Sequence, residues 1–171
     1  VLQPIESWRE HLTWKSVIQV QHAGQFIYCA TPYAIFRYDK ANSEFSRKSK
    51  VNGLSDIGIS AMHVDKLTGS VIIAYKSKWI DIWRGDKVFP IPDLKITRVP
   101  GDFTVNSILV NNGIAYLSTN AGVILLDIQK LEIRERWLPG LREDQWVTSS
   151  ICRIGDNWYA STKYGLKTIK S

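Results

Sequence analysis

The residues of this chain that could do chemistry are few and scattered. There are three histidines, His11, His22 and His63. A metal site needs His, Cys or carboxylate ligands at a characteristic spacing, and none of the three has such a set beside it. His63 falls in a strand-like run and His22 beside a hairpin, so both read as structural. No Gly-x-Ser-x-Gly elbow presents a nucleophile, and no Gly-x-x-x-x-Gly-Lys loop could cradle a phosphate. Asp81 and Asp86 make a carboxylate pair in sequence only; they read as a strand and a turn residue. Asp65-Lys66-Leu67-Thr68-Gly69 lacks the alternating oxygen ligands of a calcium loop. Cys29 and Cys152 are too few for a disulfide framework and read as small buried thiols, a single disulfide being the other reading. The inventory does not point to catalysis and implies no cofactor.

Recognition chemistry is better represented. Seven tryptophans stand at 8, 14, 79, 83, 137, 146 and 158. Such side chains anchor protein partners or stack on sugars. Trp79 and Trp158 lie in strand-like runs and read as packing between elements. Trp146 follows the polar stretch Arg142-Glu143-Asp144-Gln145 and is the candidate surface aromatic. The net charge of +6 admits an acidic protein, a phosphorylated glycolipid or nucleic acid. The basic residues are dispersed, with Arg47, Lys48 and Lys50 the densest group. No recognition helix, zinc motif or aromatic RNA-binding signature accompanies them, which argues against nucleic acid. No apolar run approaches the roughly 20 residues that span a bilayer. Val1 to Ser16 lacks the pattern of a signal peptide, as a mature exported protein would.

The elements that must position these groups repeat. Four segments align, beginning Cys29-Ala30-Thr31, Ile73-Ala74-Tyr75, Leu117-Ser118-Thr119 and Ala160-Ser161-Thr162. Their small second residues are 44, 44 and 43 residues apart. That period matches the roughly 40–50 residues of a propeller blade. Within each unit the apolar residues alternate with period two, and turn residues such as Asn112-Gly113 and Gly155-Asp156 separate the runs. The expected fold is all-β: a β-propeller fragment of about four blades, each a four-stranded antiparallel meander, with the last blade incomplete. The expected units are 16–58, 59–103, 104–146 and 147–171. Residues 1–15 read as an alternating strand-like segment, a candidate to complete a blade. Small residues at the end of the second strand let neighbouring blades approach. An arc of this kind leaves blade faces and edges uncovered, so self-association is expected.

Asn52-Gly53-Leu54-Ser55-Asp56, then Ile59, Asp65, Gly69 and Ile72-Ile73-Ala74, resembles the two-component-regulator propeller repeat. Where that family favours glycine after the second strand, Gly122 and Gly165 fit, whereas Ala34 and Lys78 depart from it. The opening Ser7-Trp8-Arg9-Glu10-His11-Leu12 and the order of blades resemble the N-terminal region of PorZ-type proteins of the type IX (Por) secretion system of Bacteroidetes-type bacteria. The resemblance implies a non-enzymatic, exported module at the outer-membrane surface or in the periplasm. It also implies a complex that includes a sortase, and contact with an anionic lipopolysaccharide. The alternative is a periplasmic carbohydrate-sensing propeller of a hybrid two-component histidine kinase. A third reading is a propeller enzyme, such as a lyase, with its catalytic residues outside this stretch.

In a four-stranded meander, the connection between the second and third strands and the connection to the next blade share one end. The candidate partner-binding residues on those loops are Tyr33, Asp56, Lys76, Lys78, Asn120, Trp146, Lys163 and Tyr164. A sugar phosphate or an acidic protein face would suit them.

Overall fold

The computed structural model describes residues 16–91 and 103–169. Residues 1–15, 92–102 and 170–171, the expected N-terminal strand-like segment among them, lie outside the described residues. Within them the chain forms fifteen strands in four antiparallel sheets. The first sheet is β1 (Gln19–Ala23), β2 (Phe26–Ala30), β3 (Ala34–Asp39) and β4 (Glu44–Ser49). The second is β5 (Ile59–Val64), β6 (Val71–Tyr75), β7 (Ile80–Arg84) and β8 (Lys87–Ile91). The third is β9 (Val105–Asn111), β10 (Ile114–Thr119), β11 (Gly122–Asp127) and β12 (Glu132–Trp137). The fourth has three strands, β13 (Thr148–Ile154), β14 (Asn157–Thr162) and β15 (Gly165–Ile169). Strands in every sheet follow chain order, so each is a simple meander. This is the architecture of an incomplete propeller.

Local chemistry sets the hairpins. Asn111 pairs with Ile114, leaving a two-residue turn in which Asn112 and Gly113 have φ of 50° and 76°. Those left-handed angles match the twist of the strands they join. Alternation then assigns the faces. Ile73 and Tyr75 of β6 point at the first sheet, where they meet Tyr28, Ala30 and Ile35. Ile72 and Ala74 point at the third sheet, where they meet Leu117, Ile124 and Leu126. All five residues of β6 are therefore buried. A third apolar layer joins Tyr116, Val123 and Leu125 to Ile151, Trp158 and Ala160 of the fourth sheet. The core is a series of layers between blades rather than one centre.

Ala30, Ala74 and Ser118 are fully buried at these seams. Ser161, their counterpart in the fourth sheet, is exposed. Ile151 and Ala160 face the third sheet, so their neighbours Cys152 and Ser161 face away from it. The expectation that both cysteines are buried is corrected for the same reason. Cys152 is exposed, Cys29 is half-buried, and both are free thiols. Trp158 is buried as read, whereas Trp79 sits in the turn before β7 and is 37% exposed.

The first strands of successive blades are stitched by polar side chains. Gln19 Oε1 accepts from Met62 N at 2.9 Å, and Gln21 Oε1 accepts from Val64 N at 2.7 Å. Asn106 Nδ2 donates to Thr148 O at 2.8 Å. His63 reaches the Ile108 backbone, and burial holds its imidazole below the ordinary pKa. These bonds satisfy backbone groups on strand edges that would otherwise be open.

Candidate binding surface

The candidate residues sit on the connections at one end of the sheets. Threonine shapes three of the four second-to-third turns. Thr31 Oγ1 donates to Ala34 O at 3.1 Å and accepts from Ala34 N at 3.1 Å. Thr119 Oγ1 likewise donates to Gly122 O and accepts from Ala121 N. Thr162 Oγ1 donates to Gly165 O and accepts from Tyr164 N. Each hydroxyl closes a short loop, over Pro32-Tyr33, Asn120-Ala121 and Lys163-Tyr164, and Tyr33, Lys163 and Tyr164 are exposed on these loops. The signal was available in the sequence as a Thr directly after each small residue in three units.

The second blade departs from this rule. Ala74 pairs with Ile80, whereas Ala30 pairs with Ile35 and Ser118 with Val123, so its turn is one residue longer. Tyr75 stands where the other blades have Thr. Its hydroxyl donates to Asp81 Oδ2 at 2.6 Å. Ser55 donates to the same carboxylate through N at 2.8 Å and through Oγ at 2.5 Å. Asp81 is fully buried. The Gly-Leu-Ser turn that leads into the second blade is thus fastened to that blade's third strand by a buried carboxylate. Burial, together with the bond to Asp81, raises the Tyr75 pKa far above the ordinary phenol and keeps its hydroxyl a donor. Asp81 is a strand residue as read, but its role as an anchor was not legible from spacing alone.

The next link is backbone. Pro32 O accepts from Gly58 N at 2.7 Å, and Gly58 O accepts from Lys76 N at 2.9 Å. The Tyr33 turn, the Asp56 connection and the Lys76–Lys78 turn are therefore contiguous. Asp56 accepts from Lys50 Nζ at 2.9 Å. Bonds from the Ser77 side chain, then Lys50, hold its carboxyl down at about 2. In the last blade the same device recurs: Asp144 accepts from Tyr164 Oη at 2.6 Å and from Arg142 Nη2 at 3.2 Å. Asn120 Oδ1 accepts from Asn106 Nδ2 at 3.1 Å, at the seam between the third and fourth sheets.

Not all candidates are equally presented. Tyr33, Lys76, Lys78, Lys163 and Tyr164 are exposed. Asp56 and Asn120 are committed to hydrogen bonds. Trp146 is half-buried: its Nε1 donates to Gly140 O at 3.0 Å, and Arg136 lies 5.2 Å from a ring centroid. A side chain at Gly140 would collide with Gln145 at 2.4 Å, so the loop is built around that glycine. The apolar residues presented at this end include Val51, Ile57, Trp79 and the 99%-exposed Leu141. Among the described residues no group of three His, Cys, Asp or Glu side chains could hold a metal, and no helix is long and apolar enough to cross a membrane. The surface combines exposed lysines with aromatic and aliphatic groups.

A family model described as the PorZ N-terminal β-propeller domain of the type IX secretion system matches residues 13–171. The chain belongs to that family. Among solved structures it is similar to PorZ, described as an essential surface component of the type IX secretion system of Porphyromonas gingivalis. The TM-score is 0.75 at 19% identity, over 90% of this chain and 20% of that one. It is also similar to the extracellular domain of a putative hybrid two-component system from B. thetaiotaomicron, with a TM-score of 0.73 at 14% identity, over 99% of this chain and 22% of that one. The propeller domain of Cps50 (Swd1) from Myceliophteria thermophila gives 0.68 at 14% identity, over 94% and 53%. No curated protein matches the chain. The chain thus spans about one fifth of the length of the bacterial structures it resembles.

Proposed function

We infer that this domain is a non-enzymatic interaction module of a type IX secretion attachment complex, exported to the outer-membrane surface or the periplasm. The observation that carries the reading is the family match over 13–171. The proposed contact surface is the loop end, with Tyr33, Lys76, Lys78, Lys163 and Tyr164 as its polar part and Trp79 and Leu141 as its apolar part. Its partners are proteins of the complex, including a sortase, with anionic lipopolysaccharide as a second ligand class. Lysines on turns bring charge to such a surface with little cost to the fold.

The test is fractionation of the source cells with an antibody to this domain, followed by affinity capture. The expected result is a protease-accessible outer-membrane protein that co-purifies a sortase. Replacing Lys76, Lys78 and Lys163 with Glu should weaken that capture and leave the thermal midpoint in place. A second reading is the carbohydrate-sensing domain of a hybrid two-component kinase, favoured by the likeness to such extracellular domains over 99% of the chain. Recovery in the inner membrane, with carbohydrate binding, would replace the first reading by the second.

A further inference from the structure

Four asparagines of this chain are followed by a glycine or a serine: Asn42, Asn52, Asn106 and Asn112. A small following residue leaves its backbone nitrogen free to approach the carboxamide carbon. In three of the four the carboxamide is engaged. Asn42 Nδ2 donates to Asp39 Oδ2 at 3.0 Å. Asn52 Oδ1 accepts from Ser49 N at 2.6 Å, and its Nδ2 donates to Arg47 O at 3.1 Å. Asn106 Nδ2 donates to Asn120 Oδ1 and to Thr148 O. Asn112 differs. It is exposed at the tip of the β9–β10 hairpin, and among the described residues no hydrogen bond holds its carboxamide or the Gly113 N–H. The space beside Gly113 is open, with nothing within 4 Å of an added carbon.

The tip is tied to the fold by few bonds. Asn111 pairs with Ile114, and Gly113 O accepts from Ile128 N at 3.0 Å. Asn112 and Gly113 are left-handed, with φ of 50° and 76°. In that conformation the following nitrogen points away from a residue's own Cβ, so ring closure at Asn112 requires the turn to open. Exposed hairpin tips open locally at low free energy. Lys66 lines the same cleft as Asn112 and makes no described salt bridge. A carboxylate created at position 112 therefore gains a nearby cation.

We propose that Asn112 is a site of deamidation in the folded domain, through a cyclic imide formed with Gly113. The Gly113 nitrogen gives its proton to solvent and attacks Asn112 Cγ. The Cγ–Nδ2 bond breaks, and the nitrogen takes up a proton and leaves as ammonia. One water then opens the five-membered imide at either carbonyl, giving aspartate or isoaspartate with no change of oxidation state. Aspartate keeps the turn, since its short side chain tolerates the left-handed region. Isoaspartate lengthens the main chain by a carbon and breaks the two-residue turn. The site lies at the opposite end of the sheets from the candidate loops and does not depend on the function proposed for them. The test is incubation of the full chain, folded and in urea, in mildly alkaline buffer made with heavy-oxygen water, followed by peptide sequencing by mass spectrometry. In urea, Asn52 and Asn112 both precede an unrestrained glycine and should convert at similar rates. In the folded chain, label should enter at Asn112 at least about tenfold faster than at Asn42, Asn52 or Asn106, and an isoaspartate-specific methyltransferase should mark the product. Folded-state conversion of Asn52 as fast as that of Asn112, or no label at Asn112 in the folded chain, would overturn the proposal. Conversion of Asn112 as fast when folded as in urea would overturn the requirement that the turn open.

Discussion

Replacing Asp81 with Ala should destabilise the domain well beyond what a surface aspartate does. The carboxylate is fully buried and accepts three hydrogen bonds, two from Ser55 and one from Tyr75. The Ser55 hydroxyl can turn to another acceptor, but its backbone N–H and the buried Tyr75 hydroxyl cannot. Each stranded buried donor costs about 1–3 kcal/mol. Relief of the charge's own burial cost offsets part of that, leaving a net loss of about 3 kcal/mol. For a chain of this length the melting temperature should fall by roughly 6–12 °C. Urea unfolding followed by tryptophan fluorescence gives the number, with Asp86→Ala on an exposed turn as the control, expected within about 0.5 kcal/mol of the parent. A double-mutant cycle with Tyr75→Phe should show a coupling of about 1 kcal/mol or more. Hydrogen exchange at the Ser55 amide should accelerate in Asp81→Ala. A loss below about 1 kcal/mol, or no coupling to Tyr75, would refute the anchoring argument.

Three further outcomes are expected. Lys78 has φ of 70°, a region that costs an L-residue roughly 1 kcal/mol, so Lys78→Gly should raise stability by up to that amount in the same urea assay. Burial holds His63 below its ordinary value of 6.5. The unfolded chain therefore takes up the proton first, so the stability His63 contributes is present above that value and is lost as pH falls through its lowered native pKa; melting curves across this range should flatten in His63→Gln. Finally, Val20, Ile154 and Leu166 are 58%, 66% and 69% exposed on the outer faces of the first and fourth sheets. Sedimentation of this chain at micromolar concentration should show self-association that Leu166→Lys weakens; a strict monomer would count against it.

The blades were legible because their signal is periodic. Small residues 44, 44 and 43 apart, with two-residue hairpins between alternating runs, leave little freedom of topology. What escaped was anything that depends on which side of a sheet is covered. Cys152 and Ser161 have the same local sequence character as buried counterparts, yet no sheet among the described residues lies over them. Trp79 looked like strand because it opens the run Trp79-Ile80-Asp81-Ile82, but the longer turn of the second blade carries it out to solvent. Asp81 looked unremarkable in a strand, since a buried acceptor is defined by donors 26 residues earlier at Ser55 and six residues earlier at Tyr75. Trp146 followed a polar run, and only the placement of Arg136 and Gly140 shows that it is pinned. The candidate loops were found by topology, while their division into presented and committed side chains needed coordinates.

The stitches between first strands bear on how the domain is made. Gln21 reaches Met62 41 residues ahead, Gln19 reaches Met62 43 ahead and Asn106 reaches Thr148 42 ahead; at the third strands, Arg84 likewise reaches Ile128 44 ahead. Each bond crosses one seam. A chain whose partners always lie one unit away behaves as a linear array, with stability passed from neighbour to neighbour. Loop closure is then a similar, modest cost at each step instead of a single large one. Each blade can dock on the one before it as soon as about 45 residues have emerged, so assembly can keep pace with a chain delivered from one end.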